Sequence, residues 1–408
     1  MIRMNRPKQV DVLVIGGGIA GITTSLEASE TGRKVVLVER NPYLGGRVTQ
    51  MNKYFPKLCP PICGLEMNLR RIRSNPNIEV LTLSKIEKVQ GKKGGYEVTI
   101  KQDPRFTNDN CTACGACERV CPVERSDEFN FGLTKTKAIY LPHQMSHPMQ
   151  YVIDGNSCVK CGACVEACKY GAIDLEMEAK SQTIRVPSIV VATGWKPYDA
   201  SRIDNLKYGV YKDIVTNMQF ERMSAVNGPT NGKILRPSDN KEPERIVFVQ
   251  CAGSRDENHL PYCSAVCCLA SMKQATYIRE QNPNSKVTIF YIDIRALGRY
   301  EDFYNKVSSD GNVTFIKGKV ADITEDKDGL VVSAEDILSG KKTHQKADLV
   351  VLACGMVPED KENLPILIDE YGFMIPGDIY PVGVAKRPME VAGTTQDATA
   401  AALLAIQK

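Results

Sequence analysis

Eight of the fifteen cysteines stand in two runs of the same spacing, Cys111-x-x-Cys114-x-x-Cys117-x-x-x-Cys121 and Cys158-x-x-Cys161-x-x-Cys164-x-x-x-Cys168. This is the spacing with which thiolates hold [4Fe-4S] clusters. Where two such runs share one domain, the fourth cysteine of each ligates the other cluster. The expected sets are therefore Cys111, Cys114 and Cys117 with Cys168, and Cys158, Cys161 and Cys164 with Cys121. Gly115 and Gly162 occupy matching places and give the flexible backbone that close thiolate ligation needs. Structural zinc is the competing reading, but zinc sites pair two C-x-x-C halves instead of placing four cysteines in one run. Pro122 follows the first run and Lys169 the second, a departure that affects loop stiffness more than ligation. Two clusters exchange single electrons.

A second chemistry sits at the start of the chain. Gly16-Gly17-Gly18-Ile19-Ala20-Gly21 has the G-x-G-x-x-G spacing, directly after the apolar run Val10 to Ile15 and opening a periodic stretch, Ile19 to Thr31. Gly16 makes the tight turn, Gly18 lets the backbone approach a pyrophosphate at the helix N-terminus, and Gly21 lets helix and strand pack closely. Glu39, at the end of the next apolar run Val35 to Val38, can accept from ribose hydroxyls. Gly45-Gly46-Arg47 and, much later, Val191-Ala192-Thr193-Gly194 resemble the short motifs that recur around FAD in two-dinucleotide-binding flavoproteins of the thioredoxin reductase type. That resemblance makes FAD the expected dinucleotide and adds Gly46, Arg47, Thr193, Gly194 and Gly393 to its expected site.

A third cysteine group is less standard. Cys251 follows the apolar run Arg245 to Gln250, and Cys263, Cys267 and Cys268 enter a helix expected over 264–280. They stand where a second dinucleotide fold would carry its glycines, of which only Gly253 remains, so direct use of NAD(P)H is not expected. From the spacing alone three readings stay open: a further [4Fe-4S] cluster, a redox-active disulfide, or buried structural cysteines. Cys59-Pro-Pro-Ile-Cys63 is half a metal site at most, and Cys354, after a buried strand, reads as a core residue. The four histidines lack ligand spacing, and no nucleophile stands beside a base.

The elements that must position these residues alternate strand and helix, which predicts an α/β fold. Short strands near 78–80, 96–100, 183–186 and 188–192 complete a first unit, interrupted by the cysteine-rich segment. The expected division is an FAD-binding domain over 1–105, an inserted two-cluster ferredoxin-like domain over 106–176, the FAD-binding domain again over 177–240, a second Rossmann-like domain over 241–350, and an FAD-binding C-terminal part over 351–408. Cluster ligation can hold together an insert too small to bury its own core. At 43% apolar and 25% charged, with a net charge of +4, the composition is that of a folded protein with no pull toward nucleic acid. The first eight residues do not read as a signal peptide, and no run approaches the roughly 18 apolar residues of a membrane span. A soluble chain is expected, with any membrane contact through a partner.

Phe248-Val-Gln-Cys251-Ala-Gly-Ser-Arg-Asp256, the stretch from Tyr262-Cys263 to Lys273-Gln274-Ala275, Ile289-Phe-Tyr-Ile-Asp293-Ile-Arg295, and Glu128-Phe-Asn130 through Lys137-Ala-Ile-Tyr140 together resemble the A-type subunit of heterodisulfide reductases. The resemblance implies a thioredoxin-reductase-like two-dinucleotide-binding flavoprotein fold with an inserted two-cluster ferredoxin domain, and a third [4Fe-4S] cluster on Cys251, Cys263, Cys267 and Cys268. Lys273, about one and a half helical turns beyond Cys268, is then expected to act on the flavin. The chain is short for that family, lacking the terminal cluster-bearing segments of the methanogen proteins. Its compact form is similar to the A-type subunit of the quinone-interacting membrane-bound oxidoreductase complex of sulfate reducers. That similarity implies an electron-transfer subunit linking menaquinone to adenylylsulfate reductase at the cytoplasmic face of the membrane. Its partners would be a heme-bearing membrane subunit together with a second flavin/iron-sulfur subunit. A bifurcating hub in a soluble assembly and a stand-alone thiol/disulfide reductase are the alternatives.

Overall fold

The computed structural model describes residues 7–407, which fall into two compact units. Of the described residues, the first unit takes 7–195, 358–387 and 391–407 and the second 196–357 and 388–390.

In the first unit, three fully buried, mainly apolar runs form the centre of a five-stranded parallel sheet, as strands buried on both faces must. Its order is Tyr380–Pro381, Ser188–Val191, Val12–Ile15, Val35–Val38, Ile78–Leu81. Val12–Ile15 at its centre pairs in register with Val35–Val38 and with Ser188–Val191. The glycine turn after Ile15 therefore emerges between two strand ends, the position where open α/β sheets bind ligands. The helix Ile19–Glu30 covers this sheet, and Val391–Ile406 packs along it, Thr24 Oγ1 donating to the Ala398 carbonyl. A second, four-stranded sheet runs Lys8–Gln9, Lys180–Val186, Gly95–Gln102, Ser84–Lys92. The cysteine-rich insert leaves this sheet after Gln102 and rejoins it at Lys180, as expected for a segment threaded into a pre-existing hairpin. Inside the insert are two five-residue helices, Ala116–Val120 and Ala163–Ala167, and two small hairpins.

The second unit has its own parallel sheet, Ile214–Thr216, Leu349–Cys354, Arg245–Ala252, Lys286–Tyr291, Val313–Lys317, and an antiparallel one, Val320–Asp326, Gly329–Asp336, Lys341–Ala347. The helix Cys267–Gln281 crosses between Arg245–Ala252 and Lys286–Tyr291. Two expected boundaries differ from these units: residues 351–357, expected with the C-terminal FAD-binding part, belong to the second unit because the strand Leu349–Cys354 runs through the expected break. Residues 196–240, expected with the FAD-binding domain, belong to the second unit, because Ile214–Thr216 pairs in register with Val350–Leu352. The sequence marks no break there: the apolar runs on either side of residue 195 look alike, and only the pairing partner distinguishes them. The C-terminal helix spans Val391–Ile406.

Candidate functional site

The flavin-type site is built from bare backbone. Gly16 has φ +104°, and a Cβ there would lie 2.3 Å from the Ala192 carbonyl oxygen; at Gly21 a Cβ would lie 1.8 Å from the Gly16 oxygen. Both positions are closed to any side chain. Gly18 and Gly46 face each other, and the amide of Gly45 donates to the Gly17 carbonyl at 2.7 Å, so the two glycine segments form one backbone-lined crevice at the start of the helix Ile19–Glu30. No side chain caps that helix and its first turn holds no acidic residue, which leaves the positive end of its dipole to an anion. Thr193 Oγ1 is buried with no hydrogen-bond partner. An unsatisfied hydroxyl and an uncapped helix end beside the same glycine turn fit a dinucleotide.

Glu39 is 5% exposed; its Oε2 accepts from the Gly17 amide at 2.6 Å and its Oε1 from the Asn41 amide at 2.7 Å. Burial raises its pKa, against the opposing pull of those two amides and of Arg40. Each carboxylate oxygen keeps a lone pair for a ribose hydroxyl. Arg47 donates through Nε to the Trp195 carbonyl at 3.2 Å and through Nη1 to Gln50 Oε1 at 3.1 Å. Gly393 lies in the first turn of the helix Val391–Ile406. Two residues escaped the sequence reading: Glu359, 7% exposed, which holds Arg40 through both carboxylate oxygens at 2.6 and 3.1 Å, and Asp397, which accepts from the Gly383 amide and Lys386 Nζ. Neither belongs to a motif, so no spacing could have flagged them.

In the insert the two cysteine runs fold alike. Ala113 and Lys160, the third residues of the first C-x-x-C pair in each run, have φ of +54° and +52°, and Gly115 and Gly162 follow at +77° and +81°. Such positive φ angles turn successive amides toward the sulfurs. The Lys160 amide lies 3.4 Å from Cys158 Sγ and the Ala172 amide 3.4 Å from Cys168 Sγ. Cys111, Cys114 and Cys117 line one cavity together with Cys168, the fourth cysteine of the other run. Burial pushes the Cys117 thiol up to about 12 and raises Cys164.

In the second unit Cys251, Cys263, Cys267 and Cys268 line a single small cavity, together with Arg255, Asp293 and Arg295. Cys251 stands at φ +57° at the end of its strand, a conformation that aims the side chain off the strand's alternation. Burial, then the neighbouring sulfurs, pushes Cys251 up to about 11 and Cys267 well above its usual range. Cys268 is raised as well, again by burial first, and buried thiols held up in this way ionise together only around a cationic core, which is the condition cluster irons supply. Among the described residues no three such side chains are gathered tightly enough for a single metal ion; a four-iron cube needs its thiolates spread around a cavity. Gly253 is packed under Tyr198, whose ring carbon would lie 2.5 Å from a Cβ there, so the remnant of a nucleotide fingerprint serves a side-chain contact. Lys273 is absent from the cavity wall. It forms a buried ion pair with Glu221, Nζ to Oε1 at 3.0 Å. Cys354 is 3% exposed, in the core as expected, whereas Cys63 is exposed and Cys59 partly so.

A glycine crevice suited to FAD and an insert suited to two [4Fe-4S] clusters define an iron–sulfur flavoprotein oxidoreductase. Family models match accordingly: FAD dependent oxidoreductase over residues 11–82 and 4Fe-4S dicluster domain over residues 110–173. The chain is homologous to the A-type subunits of heterodisulfide reductases. It is 38% identical, over 96% of its length, to the A-type iron-sulfur subunit of the CoB–CoM heterodisulfide reductase of Methanocaldococcus jannaschii. It is 37% identical, also over 96%, to the A-type subunit of the H(2):CoB-CoM heterodisulfide,ferredoxin reductase of Methanothermobacter thermautotrophicus. The chain spans only 63% and 62% of those relatives' lengths. Among solved structures it is similar to thioredoxin reductases of T. acidophilum (TM-score 0.52, 12% identity, 98% of each chain) and Lactococcus lactis (TM-score 0.53, 15% identity, 97% of each chain), which shows the thioredoxin-reductase-like fold. Among the described residues no helix is long and apolar enough to cross a membrane.

Proposed function

We propose that this chain is the flavin and iron–sulfur electron-transfer subunit of a multi-subunit oxidoreductase. The observation that carries the reading is the gathering of Cys251, Cys263, Cys267 and Cys268 around one cavity, in the place where a nicotinamide-using enzyme would need its second glycine turn. A third [4Fe-4S] cluster there joins the two of the insert. The ligand sets are Cys111, Cys114, Cys117 and Cys168, then Cys158, Cys161, Cys164 and Cys121, then the four of the second unit. Gly16, Gly18, Gly21, Glu39, Gly46, Arg47, Thr193, Gly194 and Gly393 hold FAD. When bound, the flavin would exchange electron pairs as well as single electrons, whereas each cluster exchanges single electrons alone. The protein's part is to hold these groups with thiolates, glycine backbone and a buried carboxylate, and to exclude water from the four-cysteine cavity.

The electron source and sink lie in partners. One arrangement, suggested by the resemblance to the quinone-interacting complex, carries electrons from menaquinone, through a heme-bearing membrane subunit, toward adenylylsulfate reductase at the cytoplasmic face of the membrane. Relatives named for heterodisulfide and ferredoxin favour a bifurcating role in a soluble heterodisulfide-reductase-like assembly equally well. The third reading, a stand-alone thiol/disulfide reductase, is disfavoured by the burial of Cys267 and Cys268, 6% and 7% exposed, since an attacking thiolate needs access. Anaerobic affinity purification from native membranes tests the choice. Recovery of a heme-bearing subunit with adenylylsulfate reductase supports the quinone-linked complex, recovery of soluble heterodisulfide-reductase-like subunits supports the other, and recovery of the chain alone with thiol-dependent disulfide reduction overturns both.

A further inference from the structure

The iron–sulfur insert touches the flavin-type site along a defined seam. The segment Asn41 to Gln50, which carries Gly45-Gly46-Arg47, is gripped from the insert side at five points. Arg105 Nη2 donates to the Pro42 carbonyl at 2.5 Å and to Thr82 Oγ1 at 2.8 Å. The Leu44 amide donates to the His147 carbonyl at 3.0 Å. The Tyr43 ring stands edge-on to His143 at 4.8 Å and to Phe129 at 5.9 Å, and Phe129 and His143 are stacked at 4.9 Å with 17° between their planes. Gln50 Nε2 donates to the Phe129 carbonyl at 3.1 Å. The Arg47 guanidinium lies 5.7 Å from the Phe131 ring centre and 5.9 Å from that of Trp195.

The insert side of this seam is built to hold its shape. Asp127 Oδ2 accepts from Asn130 Nδ2 and from Thr134 Oγ1, and Asn130 also donates to Thr134 Oγ1. This closed ring of bonds ties the tip of the hairpin Glu124–Ser126/Lys135–Lys137. Phe131 sits on that tip at φ +52°, a left-handed conformation that an aromatic residue adopts only when its surroundings impose it. Nothing in ferredoxin-type cluster ligation requires Phe129, Phe131 or His143, none of which lines the cysteine cavity.

We propose that the insert is a structural part of the flavin site: Phe129, Phe131 and His143 brace the Gly45–Gln50 segment and hold Arg47 in its bound orientation, so FAD affinity depends on residues of the iron–sulfur insert. The proposal rests on the reading that Arg47 and Gly46 contact FAD. Phe129, Phe131 and His143 are positioning residues acting through Arg47 and the glycine turn.

The test uses the full, cluster-loaded chain under anaerobic conditions, stripped of flavin and titrated with FAD. In the unaltered protein, FAD binding should slow amide hydrogen exchange in residues 127–134 and 143–147 as well as in the glycine turns. In Phe131→Ala and His143→Ala, FAD should bind at least tenfold more weakly, with iron per chain unchanged and with Phe131→Leu within threefold of the unaltered protein. A chain that binds FAD without protecting 127–134 or 143–147, or alanine variants that bind FAD within twofold of the unaltered protein, overturns this proposal alone. A chain that binds no FAD overturns the cofactor assignment and this proposal together.

Discussion

Replacing Lys273 by methionine should destabilise the second unit strongly, and the structure gives the size. Lys273 comes from the helix Cys267–Gln281 and Glu221 from the helix Asn217–Ser224, every residue of which is buried. Their side chains are 6% and 3% exposed and their charged atoms are 3.0 Å apart. Glu221 Oε1 also accepts from Gln274 Nε2 at 2.7 Å. In Lys273→Met the buried Glu221 carboxylate keeps that amide but loses the ammonium beside it, and removing one partner of a buried pair costs about 3–5 kcal/mol. For a unit of this size each kcal/mol moves the midpoint by roughly 2–4 °C, so a drop of roughly 6–20 °C is expected in calorimetry of the cofactor-loaded protein. Adding Glu221→Gln removes the buried charge, and the double variant should recover to within about 2 kcal/mol of the unaltered protein, because a buried pair replaced by neutral side chains of similar volume is close to neutral. The reasoning fails if Lys273→Met melts with the unaltered protein, or if the double variant loses the sum of the two single losses. A normal melting midpoint with a lowered flavin potential would instead assign Lys273 to the flavin.

Cys267→Ala and Cys268→Ala should each lower iron by about four atoms per chain, one cluster's worth, while leaving FAD in place; iron and acid-labile sulfide analysis decides, and unchanged iron would make the third cysteine group structural. NADH should leave the flavin oxidised in anaerobic mixing, since the turn after Arg245–Ala252 lacks the needed glycines; rapid bleaching would contradict this. Gly21→Ala should abolish FAD retention, because a Cβ there would lie 1.8 Å from the Gly16 oxygen, and a variant that still copurifies with stoichiometric flavin would show the turn is not the binding site. Burial, with a smaller push from Arg73, lowers the pKa of His147 from 6.5 to about 4. The folded protein therefore holds it neutral where the unfolded chain is protonated. Its stabilising contribution is complete above pH 6.5 and is lost as pH falls toward 4, so His147→Gln should flatten the melting midpoint between those values.

Much of the site was legible before any fold was known, for a physical reason. The three thiolates that one short run gives to a cluster, and the glycines that hold a pyrophosphate at a helix N-terminus, are residues whose spacing along the chain nearly fixes their spacing in space. Cys111 to Cys117, Cys158 to Cys164 and Gly16 to Gly21 are of that kind, and the first βαβ unit follows from the alternation of apolar runs that surrounds the glycines. Tertiary structure alone decided what depends on distant partners. Cys251 and Cys268 meet only because the strand Arg245–Ala252 ends beside the start of the helix Cys267–Gln281, and spacing left three readings open for them. Residues 196–240 joined the second unit through pairing with a strand far along the chain, which no local pattern encodes. Lys273 found Glu221, Arg40 found Glu359, and Phe131 found Arg47 in the same way: a charge or a ring carries no mark of its partner in the sequence, because that choice is made by the packing of elements that are remote from one another until the chain has folded.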